Sequence, residues 1–296
     1  MQIIFLGTSC AVPTKDRNHN TFLLTYREEG ILFDCGENTQ RQLKIAGIKP
    51  TKITRVLISH LHGDHVFGLP GIIYTLGLSE YNKKLIIYGP KGIKKFIDTM
   101  LKSTTDNARI KIEIKEISPG TFYDGKWFKI KADKLEHGIY TLGFRFIEKD
   151  RRRINLSYIK KLGIPDGPSL GKLQDGKSIS FKGKTISPDN ATTIVKGKKI
   201  AYVADTRICN SAYTLAKDVD LLIAASTYSS KDQDKAEKHN HLTAKEAGLI
   251  ASKANAKQLV LTHFSQRYKD SHELEEDARN VFDNSIAAHD FMKFNL

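Results

Sequence analysis

Short apolar runs alternate with polar or glycine-containing segments along most of this 296-residue chain. Runs rich in Val, Ile, Leu and Phe predict strands, whereas apolar residues at i, i+3, i+4 and i+7, or a capping sequence, predict helices. The predicted strands are Gln2–Leu6, Thr21–Thr25, Ile31–Asp34, Val56–Ser59, Lys84–Tyr88, Ile110–Ile117, Tyr140–Phe146, Ile200–Ala204, Leu221–Ala224 and Leu259–Thr262. The predicted helices are Lys91–Lys102, Ala244–Ala254 after the capping-box pattern Thr243-Ala244-Lys245-Glu246, and Ser271 to about Phe282 after a similar pattern of Asp270 followed by Glu273. Strands interrupted by helices indicate a layered α/β fold.

One segment, residues 150–187, breaks this pattern. It contains Pro165 and Pro168, with Pro188 just beyond, and five glycines, and it shows little apolar periodicity. The pattern predicts an irregular stretch, and a stretch of that length inside a compact domain is more often functional or mobile than part of a core. The alternative interpretation is a disordered insertion.

Composition excludes several classes of protein. With 40% hydrophobic and 27% charged residues, the balance is that of a water-soluble domain. No apolar run approaches the roughly 20 residues needed to span a bilayer, and the first residues lack the basic start of a secretion signal. Cys10, Cys35 and Cys209 are odd in number, which favours reduced thiols. These features predict a cytoplasmic protein without a membrane segment.

The net charge is +14, from 47 basic and 33 acidic residues. Residues 149–184 carry ten lysines or arginines and only three aspartates, so this segment accounts for half of the net charge. Concentrated positive charge predicts a polyanionic partner bound through phosphate contacts. A lysine-rich proteome would produce the same total without such a partner, so the clustering is the more informative observation.

Candidate chemistry is concentrated in His60-Leu61-His62-Gly63-Asp64-His65, directly after a buried-strand pattern. Ligands on a turn at a strand end can converge on one point because the strand fixes the position of the turn. Nitrogen and carboxylate donors without thiolate suit zinc, with manganese or iron less favoured. The alternative is a solvated histidine-rich loop.

This HxHxDH string resembles the signature of the metallo-β-lactamase superfamily. The resemblance implies a later His, Asp and His at strand ends, and His137, Asp205 and His263 follow in that order. Two further segments resemble the tRNase Z family, which trims the 3′ end of precursor tRNA. They are the PxKxRN pattern at 13–18 and Leu162-Gly163-Ile164-Pro165-Asp166-Gly167-Pro168, which is similar to the base of that family's tRNA-gripping arm.

The resemblance runs from Ile3 to about Phe291 and implies a four-layer αββα sandwich. It implies one domain, 1–296, with a protruding basic arm inserted at about 150–187. It also implies two zinc ions per chain, with manganese as the alternative metal. In that arrangement His60, His62 and His137 hold one ion, Asp64, His65 and His263 hold the other, and Asp205 bridges them.

The implied activity is that of an endoribonuclease that removes the 3′ trailer of precursor tRNA after the discriminator nucleotide. A metal-activated hydroxide would attack the phosphodiester, with Asp64 accepting a proton. His241 is the proposed proton donor to the leaving 3′ oxygen, with His239 as its competitor. The family commonly has His-Glu where this chain has Ala224-Ala225, so less efficient proton donation is expected.

Basic side chains that would contact the substrate are Lys15, Arg17, Arg267, Arg151, Arg152 and Arg153. The family resemblance further implies a homodimer in which the arm of one subunit presents tRNA to the site of the other. Two alternatives remain: a hydrolase of a small phosphodiester or thioester, and a tRNA-binding protein with weakened catalysis.

Overall fold

The computed structural model describes residues 1–103 and 110–296. The chain forms two compact units, which we call the main unit and the basic unit. The main unit comprises Met1–Tyr123, Ile130–Phe146 and Lys199–Leu296, and the basic unit comprises Asp124–Lys129 and Ile147–Lys198.

The described strands are, in chain order, β1 (Gln2–Gly7), β2 (Thr21–Tyr26), β3 (Glu29–Phe33), β4 (Arg55–Leu57), β5 (Lys84–Gly89), β6 (Lys111–Glu116), β7 (Gly120–Asp124), β8 (Phe128–Leu135), β9 (Thr141–Glu148), β10 (Arg151–Ile154), β11 (Ile179–Phe181), β12 (Lys184–Ile186), β13 (Thr192–Val195), β14 (Lys199–Val203), β15 (Leu221–Ala225), β16 (Leu259–Thr262), β17 (Ser285–Ala287) and β18 (Lys293–Asn295). The described α-helices are α1 (Thr39–Ile45), α2 (Gly63–Val66), α3 (Leu69–Leu78), α4 (Ile93–Lys102), α5 (Leu156–Leu162), α6 (Pro168–Gln174), α7 (Pro188–Ala191), α8 (Asn210–Ala216), α9 (Gln233–His239), α10 (Ala244–Lys253) and α11 (His272–Arg279).

Two seven-stranded sheets form the centre of the fold, in the orders β18-β1-β2-β3-β4-β5-β6 and β17-β16-β15-β14-β9-β8-β7. Aromatic side chains join them face to face. Phe22 on β2 contacts Tyr202 on β14 edge-on, with ring centroids 5.0 Å apart, and Phe33 on β3 meets Phe144 on β9 at 6.1 Å. Burial of these rings supplies the apolar layer between the sheets.

Helices cover the outer face of each sheet in the main unit. Leu43 of α1, Ile72 of α3 and Ile97 of α4 share a buried cluster with the first sheet. On the second sheet, α8 packs on β14, α10 packs on β15 and β16, and α11 packs on β17. The layer order is αββα, which confirms the predicted fold class. No helix within the described residues has both the length and the apolar character needed to cross a membrane.

The predicted strands and helices are confirmed, with ends that differ by a few residues. Helix α4 starts at Ile93, two residues after the predicted start, because Gly92 has φ of 101° and cannot be a helical residue. Helix α10 has the predicted capping box, in which Thr243 and Glu246 each bind the backbone N–H of the other. At the start of helix α11, Ser271 makes no side-chain cap, and Asp270 Oδ1 accepts the backbone N–H of His272 at 3.0 Å, as the sequence predicted for Asp270.

The prediction of an irregular segment at 150–187 is wrong. The basic unit contains helices α5 and α6 and two antiparallel strand pairs, β10 with β13 and β11 with β12. It also has a small core of its own, formed by Ile159, Ile164, Leu173, Ile179, Ile186 and Ala191. Apolar residues this widely spaced give no periodic signal, because each short element contributes only one or two of them.

The LGIPxGP segment has a structural explanation within the basic unit. Gly163, at φ of 68°, ends α5 in the left-handed conformation that favours glycine, and Pro168 is the first residue of α6. A helix stop followed by a helix start accounts for this run of glycines and prolines.

Candidate metal centre

The ends of several strands bring the predicted ligands of the main unit together. His60 and His62 follow β4, and Asp64 and His65 lie on the short helix α2. Asp205 follows β14 and His263 directly follows β16, and β14, β15 and β16 are parallel, so these ends lie at one edge of the sheet. Strand ends at one edge form a rigid frame for a site.

The structure places all seven predicted ligands in two overlapping groups. Donor atoms within 4.8 Å of one another come from His60, His62, His137 and Asp205 in the first group, and from His65, Asp205 and His263 in the second. Asp64 Oδ2 lies 3.5 Å from both His65 Nε2 and His263 Nε2, which adds it to the second group. Asp205 belongs to both groups, as a bridging ligand must.

These residues fit a divalent metal by two observations. The first is that Asp205 is only 2% exposed, yet its Oδ1 has no hydrogen-bond partner among the described residues. The second is that imidazole nitrogens face one another, with His60 Nε2 3.0 Å from His62 Nδ1 and His65 Nε2 3.2 Å from His263 Nε2. Closely spaced ring nitrogens and a buried carboxylate oxygen that makes no hydrogen bond are both accommodated by a shared cation.

The distal nitrogens of three of these histidines are fixed by other groups. Asp34 Oδ2 lies 2.9 Å from His65 Nδ1 and accepts from Ser59 Oγ, which in turn lies 2.9 Å from His60 Nδ1. His137 Nδ1 lies 2.9 Å from the carbonyl oxygen of Asn240. Such contacts fix which nitrogen faces a metal and in what direction.

Asp34 contacts the candidate site through His65, and no motif in the sequence predicted this. It is fully buried and follows β3 with φ of 54°, and His263 follows β16 with φ of 64°. Non-glycine residues rarely adopt this left-handed conformation, and when they do they are concentrated at functional sites. An aspartate at the end of a strand was the available sequence signal.

The charge balance of the site keeps both carboxylates ionised. Burial opposes ionisation of Asp205, but His263, His241 and His65 outweigh it and hold its pKa well below the ordinary value. For Asp64, His65 and His263 likewise overcome burial and lower the pKa. Ionised carboxylates are the form that binds metal.

His241, the predicted proton donor, lies at the edge of the same cluster. Its Nδ1 is 3.8 Å from Asp205 Oδ2 and 3.2 Å from Thr227 Oγ1. Burial lowers the pKa of His241 to about 4, with Asp205 opposing this and neighbouring imidazoles adding to it. The competitor His239 is exposed, and its ring centroid lies 6.5 Å from that of Tyr228. Both histidines line the cavity described next, and the approach of His241 to Asp205 is the observation that favours His241 over His239.

A cavity of about 670 Å³ opens onto this cluster. Its lining includes His62, Asp64, His137, Asp205 and His241. A substrate in this cavity would therefore meet ligands of both groups and the predicted proton donor.

Cys10 also lines the cavity and was not predicted to be part of the site. Its Sγ lies within 4.8 Å of donor atoms of Asp64 and His263. The adjacent residue, Ala11, donates its backbone N–H to Asp64 Oδ2 at 2.8 Å. The first loop of the chain therefore lies against the second group of ligands, and a cysteine without a nearby sequence partner gave no signal of this.

The three predicted substrate contacts in the main unit lie in different environments. Arg17 is 9% exposed, and its Nη2 donates to the carbonyl oxygens of Ser265 and Tyr268, so a phosphate contact does not fit its position. Lys15 is almost fully exposed, with Asp16 3.7 Å away. Arg267 stacks over Tyr228 and pairs with Asp232 at 3.1 Å.

The three consecutive arginines of the basic unit alternate between the two faces of β10. Arg151 and Arg153 are exposed, whereas Arg152 Nη2 pairs with Asp189 Oδ1 at 2.7 Å. Successive strand residues point to opposite faces, so only Arg151 and Arg153 share a solvent-facing side.

Comparison with known proteins connects this site to a family. Ribonuclease Z of Methanothermobacter thermautotrophicus is 40% identical over 293 residues, covering 99% of this chain and 95% of that protein. Ribonuclease Z of Bacillus cereus is 38% identical over 303 residues, covering 99% of both. The crystal structure of human tRNase Z, short form, has a TM-score of 0.75 at 29% identity, covering 100% of this chain and 99% of that chain.

Other similarities are broader. The metallo-β-lactamase fold protein YhfI from Bacillus subtilis has a TM-score of 0.71 at 20% identity, covering 99% of this chain and 98% of that one, and shares the fold. Residues 1–139 match the sequence model of the family described as anti-Pycsar protein Apyc1. That match ends before Asp205, whereas the ribonuclease Z relatives match the chain nearly from end to end, and the chain belongs to the ribonuclease Z family.

Proposed function

We propose that this protein is a metal-dependent endoribonuclease that removes the 3′ trailer of precursor tRNA after the discriminator nucleotide. The observation that carries the proposal is the pair of ligand groups that share Asp205 and open into one cavity. Membership in the ribonuclease Z family narrows the substrate from phosphodiesters in general to precursor tRNA.

Two zinc ions fit the donors best, with manganese as the alternative. His60, His62 and His137 would hold one ion, Asp64, His65 and His263 the other, and Asp205 both. Bound there, the metals would supply an activated water and would offset charge on the phosphate. Asp64 is suited to accept the proton of that water, because a carboxylate that uses one oxygen as a ligand keeps a second oxygen free.

His241 would donate a proton to the leaving 3′ oxygen of ribose. It lies beside Asp205 at the cavity and begins the loop that leads into α10. An alkoxide is a poor leaving group, and a positioned acid typically contributes ~10²–10⁴-fold to its departure.

The basic unit would act as the tRNA-binding arm of a single metallo-β-lactamase domain. Arg151 and Arg153 are its exposed arginines on β10, and exposed Lys15, two residues after the cavity-lining Pro13, remains a candidate contact. Phosphate contacts from such side chains add affinity through counterion release and do not take part in the chemistry. Precursor tRNA as substrate also supports a cytoplasmic location.

A homodimer is the proposed assembly. Tyr74 and Leu78 are four residues apart on α3 and are 51% and 61% exposed, and Phe67 is 60% exposed just before that helix. Ile45 at the end of the neighbouring α1 is 50% exposed. An exposed apolar row of this kind is typical of a surface that a partner covers.

The test is incubation of the zinc-loaded protein with a 3′-extended tRNA precursor, with the cut mapped to the nucleotide. A cut after the discriminator nucleotide supports the proposal. Hydrolysis of bis(p-nitrophenyl) phosphate without tRNA cleavage would support the small-diester alternative. Tight tRNA binding without any hydrolysis would support a binding protein.

The role of His241 has a separate test. His241→Ala should slow tRNA cleavage strongly and leave metal content and the nitrophenyl ester rate unchanged, because nitrophenolate leaves without an acid. Equal slowing of both substrates would contradict the assignment. His239→Ala tests the competitor, which also lines the cavity, and should leave both rates unchanged if His241 is the donor.

A further inference from the structure

His241 is held from its backbone as well as from its ring. Its ring Nδ1 lies 3.2 Å from Thr227 Oγ1, and the residues that precede Thr227, Ala224 to Ser226, carry no carboxylate. The guanidinium of Arg207 donates a hydrogen bond from Nη1 to the carbonyl oxygen of His241. We propose that Arg207 is a positioning residue that holds His241 at the metal centre, an inference that rests on the proposed function.

The guanidinium of Arg207 is itself fixed. Its Nη1 donates to Glu246 Oε2 at 3.0 Å and its Nη2 donates to Glu246 Oε1 at 2.7 Å. This two-point pairing fixes the plane of the guanidinium as well as its position. The Nη1 group that binds the carbonyl of His241 therefore has little freedom to move.

Glu246 is rigid because it belongs to the start of α10. It is 8% exposed, its Oε2 accepts the backbone N–H of Thr243 at 2.8 Å, and its Oε1 accepts from Gln233 at 3.1 Å. The capping box thus has a second use. The carboxylate that caps α10 also anchors the arginine that holds the loop of His241, two residues before the cap.

The backbone of Arg207 is tied to the metal ligands. Arg207 lies two residues after Asp205, and its N–H donates to the carbonyl oxygen of Glu136 at 2.7 Å, directly before His137. His137 in turn lies against the carbonyl oxygen of Asn240, directly before His241. Arg207 therefore connects the bridging carboxylate, one imidazole ligand and the proton donor.

This arrangement is better explained by positioning than by stability. A largely buried ion pair is weak evidence for stability, because desolvation offsets most of the attraction between the charges. What the Arg207–Glu246 pair does provide is a fixed position and orientation for the guanidinium. A displacement of about 1 Å at a reacting group can cost about 10²-fold in rate. Arg207 acts through His241 and does not need to touch the substrate.

The experiment compares Arg207→Met and Arg207→Lys in the metal-loaded full chain, with precursor tRNA and bis(p-nitrophenyl) phosphate as substrates. Arg207→Met should lower kcat on precursor tRNA by about tenfold to hundredfold with KM within about twofold, because only the acid is displaced. The nitrophenyl ester rate and the metal content should stay within about twofold. Arg207→Lys keeps one donor and should recover part of the loss.

Arg145→Met is the matched control. Arg145 also donates to backbone carbonyls, those of Thr214 and Leu215 at 3.2 Å, and none of these residues lines the cavity. Its loss should leave both substrates unaffected. If Arg207→Met loses metal or fails to fold, Arg207→Lys and Glu246→Gln carry the same comparison of the two substrates.

A double variant decides whether Arg207 acts through His241. In the His241→Ala background, Arg207→Met should cause no further loss on precursor tRNA, since the residue that it positions is absent. A multiplicative loss in that background, equal slowing of both substrates, or an unchanged tRNA rate in Arg207→Met would each overturn the inference. If the wild-type protein does not cleave precursor tRNA, the proposed function fails instead.

Discussion

Asp205 is the residue on which both ligand groups depend, because its two oxygens face imidazoles on either side. Oδ2 lies 3.7 Å from His60 Nε2 and Oδ1 lies 3.2 Å from His263 Nδ1. Asp205→Ala is expected to lower metal content from the proposed two ions per chain to one or none and to abolish hydrolysis of both substrates. Elemental analysis of the purified variant gives the measurement.

Asp98→Ala is the control for that prediction, since Asp98 is a half-exposed carboxylate on α4 that pairs with Lys94. It should retain the wild-type metal content. Two ions per chain in a well-folded Asp205→Ala variant would show that Asp205 does not bridge.

The pH dependence of cleavage should respond to a carboxylate introduced at Ala225, two residues before Thr227, whose hydroxyl contacts the His241 ring. A proton donor works in its protonated form, so the rate falls as pH rises through its pKa. Burial lowers the pKa of His241 to about 4, and a nearby carboxylate would raise it by favouring the imidazolium. Ala225→Glu should therefore move the falling limb of kcat on precursor tRNA to higher pH.

The nitrophenyl ester is the internal control for this variant, and its pH profile should not move. Ala225 is 1% exposed, so a glutamate there also lowers the thermal unfolding temperature, which is measured alongside. A limb that stays in place for precursor tRNA, or that moves for both substrates, would contradict the assignment of His241.

At the scale of elements, the sequence predicted what a repeating pattern can encode. Helices α4 and α10 and the central strands were found because apolar spacing or a capping box marks them. Helix α2, with four residues, and helices α5 and α6, with seven each, are too short to repeat a pattern. A combination of local signals, the helix stop at Gly163 and the start at Pro168, would have placed α5 and α6.

Prediction of the site was limited in a similar way, because only residues that belong to a recognisable motif could be identified. All seven proposed metal ligands could be predicted from the sequence because the family motif specifies their order, and the structure brings them together. Asp34, Thr227 and Arg207 act through partners that are far away in sequence, such as Asp34 with His65. Arg17 was predicted to face the substrate, but charge alone does not show that its guanidinium is satisfied by the carbonyls of Ser265 and Tyr268.

Strand β10 offers a test of the basic unit that does not disturb its core. Arg151 and Arg153 are exposed, while Arg152 pairs with Asp189, so Arg151→Gln with Arg153→Gln removes charge and keeps the pair. Each lost phosphate contact should reduce the slope of log affinity against log salt by about 0.7–0.9. We expect weaker tRNA binding, a smaller slope, and an unchanged rate with the nitrophenyl ester.

Lys91→Gln with Lys95→Gln removes the same charge from exposed positions at and just before α4 in the main unit and serves as the control. Binding measured by filter retention across a salt series compares the two double variants. If both weaken binding to the same degree, only net charge matters and β10 has no special role.

At the scale of the whole molecule, the chain combines a rigid catalytic frame with a separately packed basic unit. The ligands lie at strand ends of two sheets that aromatic rings join, whereas the basic unit has its own small core. Such a division lets charge on the basic unit change without altering the metal centre. It also lets one chain supply binding and another supply chemistry, as the proposed dimer requires.

That arrangement predicts complementation between two inactive variants. Asp205→Ala removes the metal centre but leaves the basic unit intact, and Arg151→Glu with Arg153→Glu reverses charge on the basic unit but leaves the ligands intact. Each variant alone should cleave precursor tRNA poorly. If the basic unit of one subunit serves the site of the other, each mixed dimer contains one intact basic unit that serves one intact metal centre. Mixing the two variants and allowing subunit exchange should then restore a substantial part of the wild-type rate.

Tyr74→Asp with Leu78→Asp in both variants should abolish this recovery and give monomers by light scattering, because charge on the exposed row opposes its burial. A monomeric wild-type protein, or a mixture no more active than its components, would instead place binding and chemistry on the same chain.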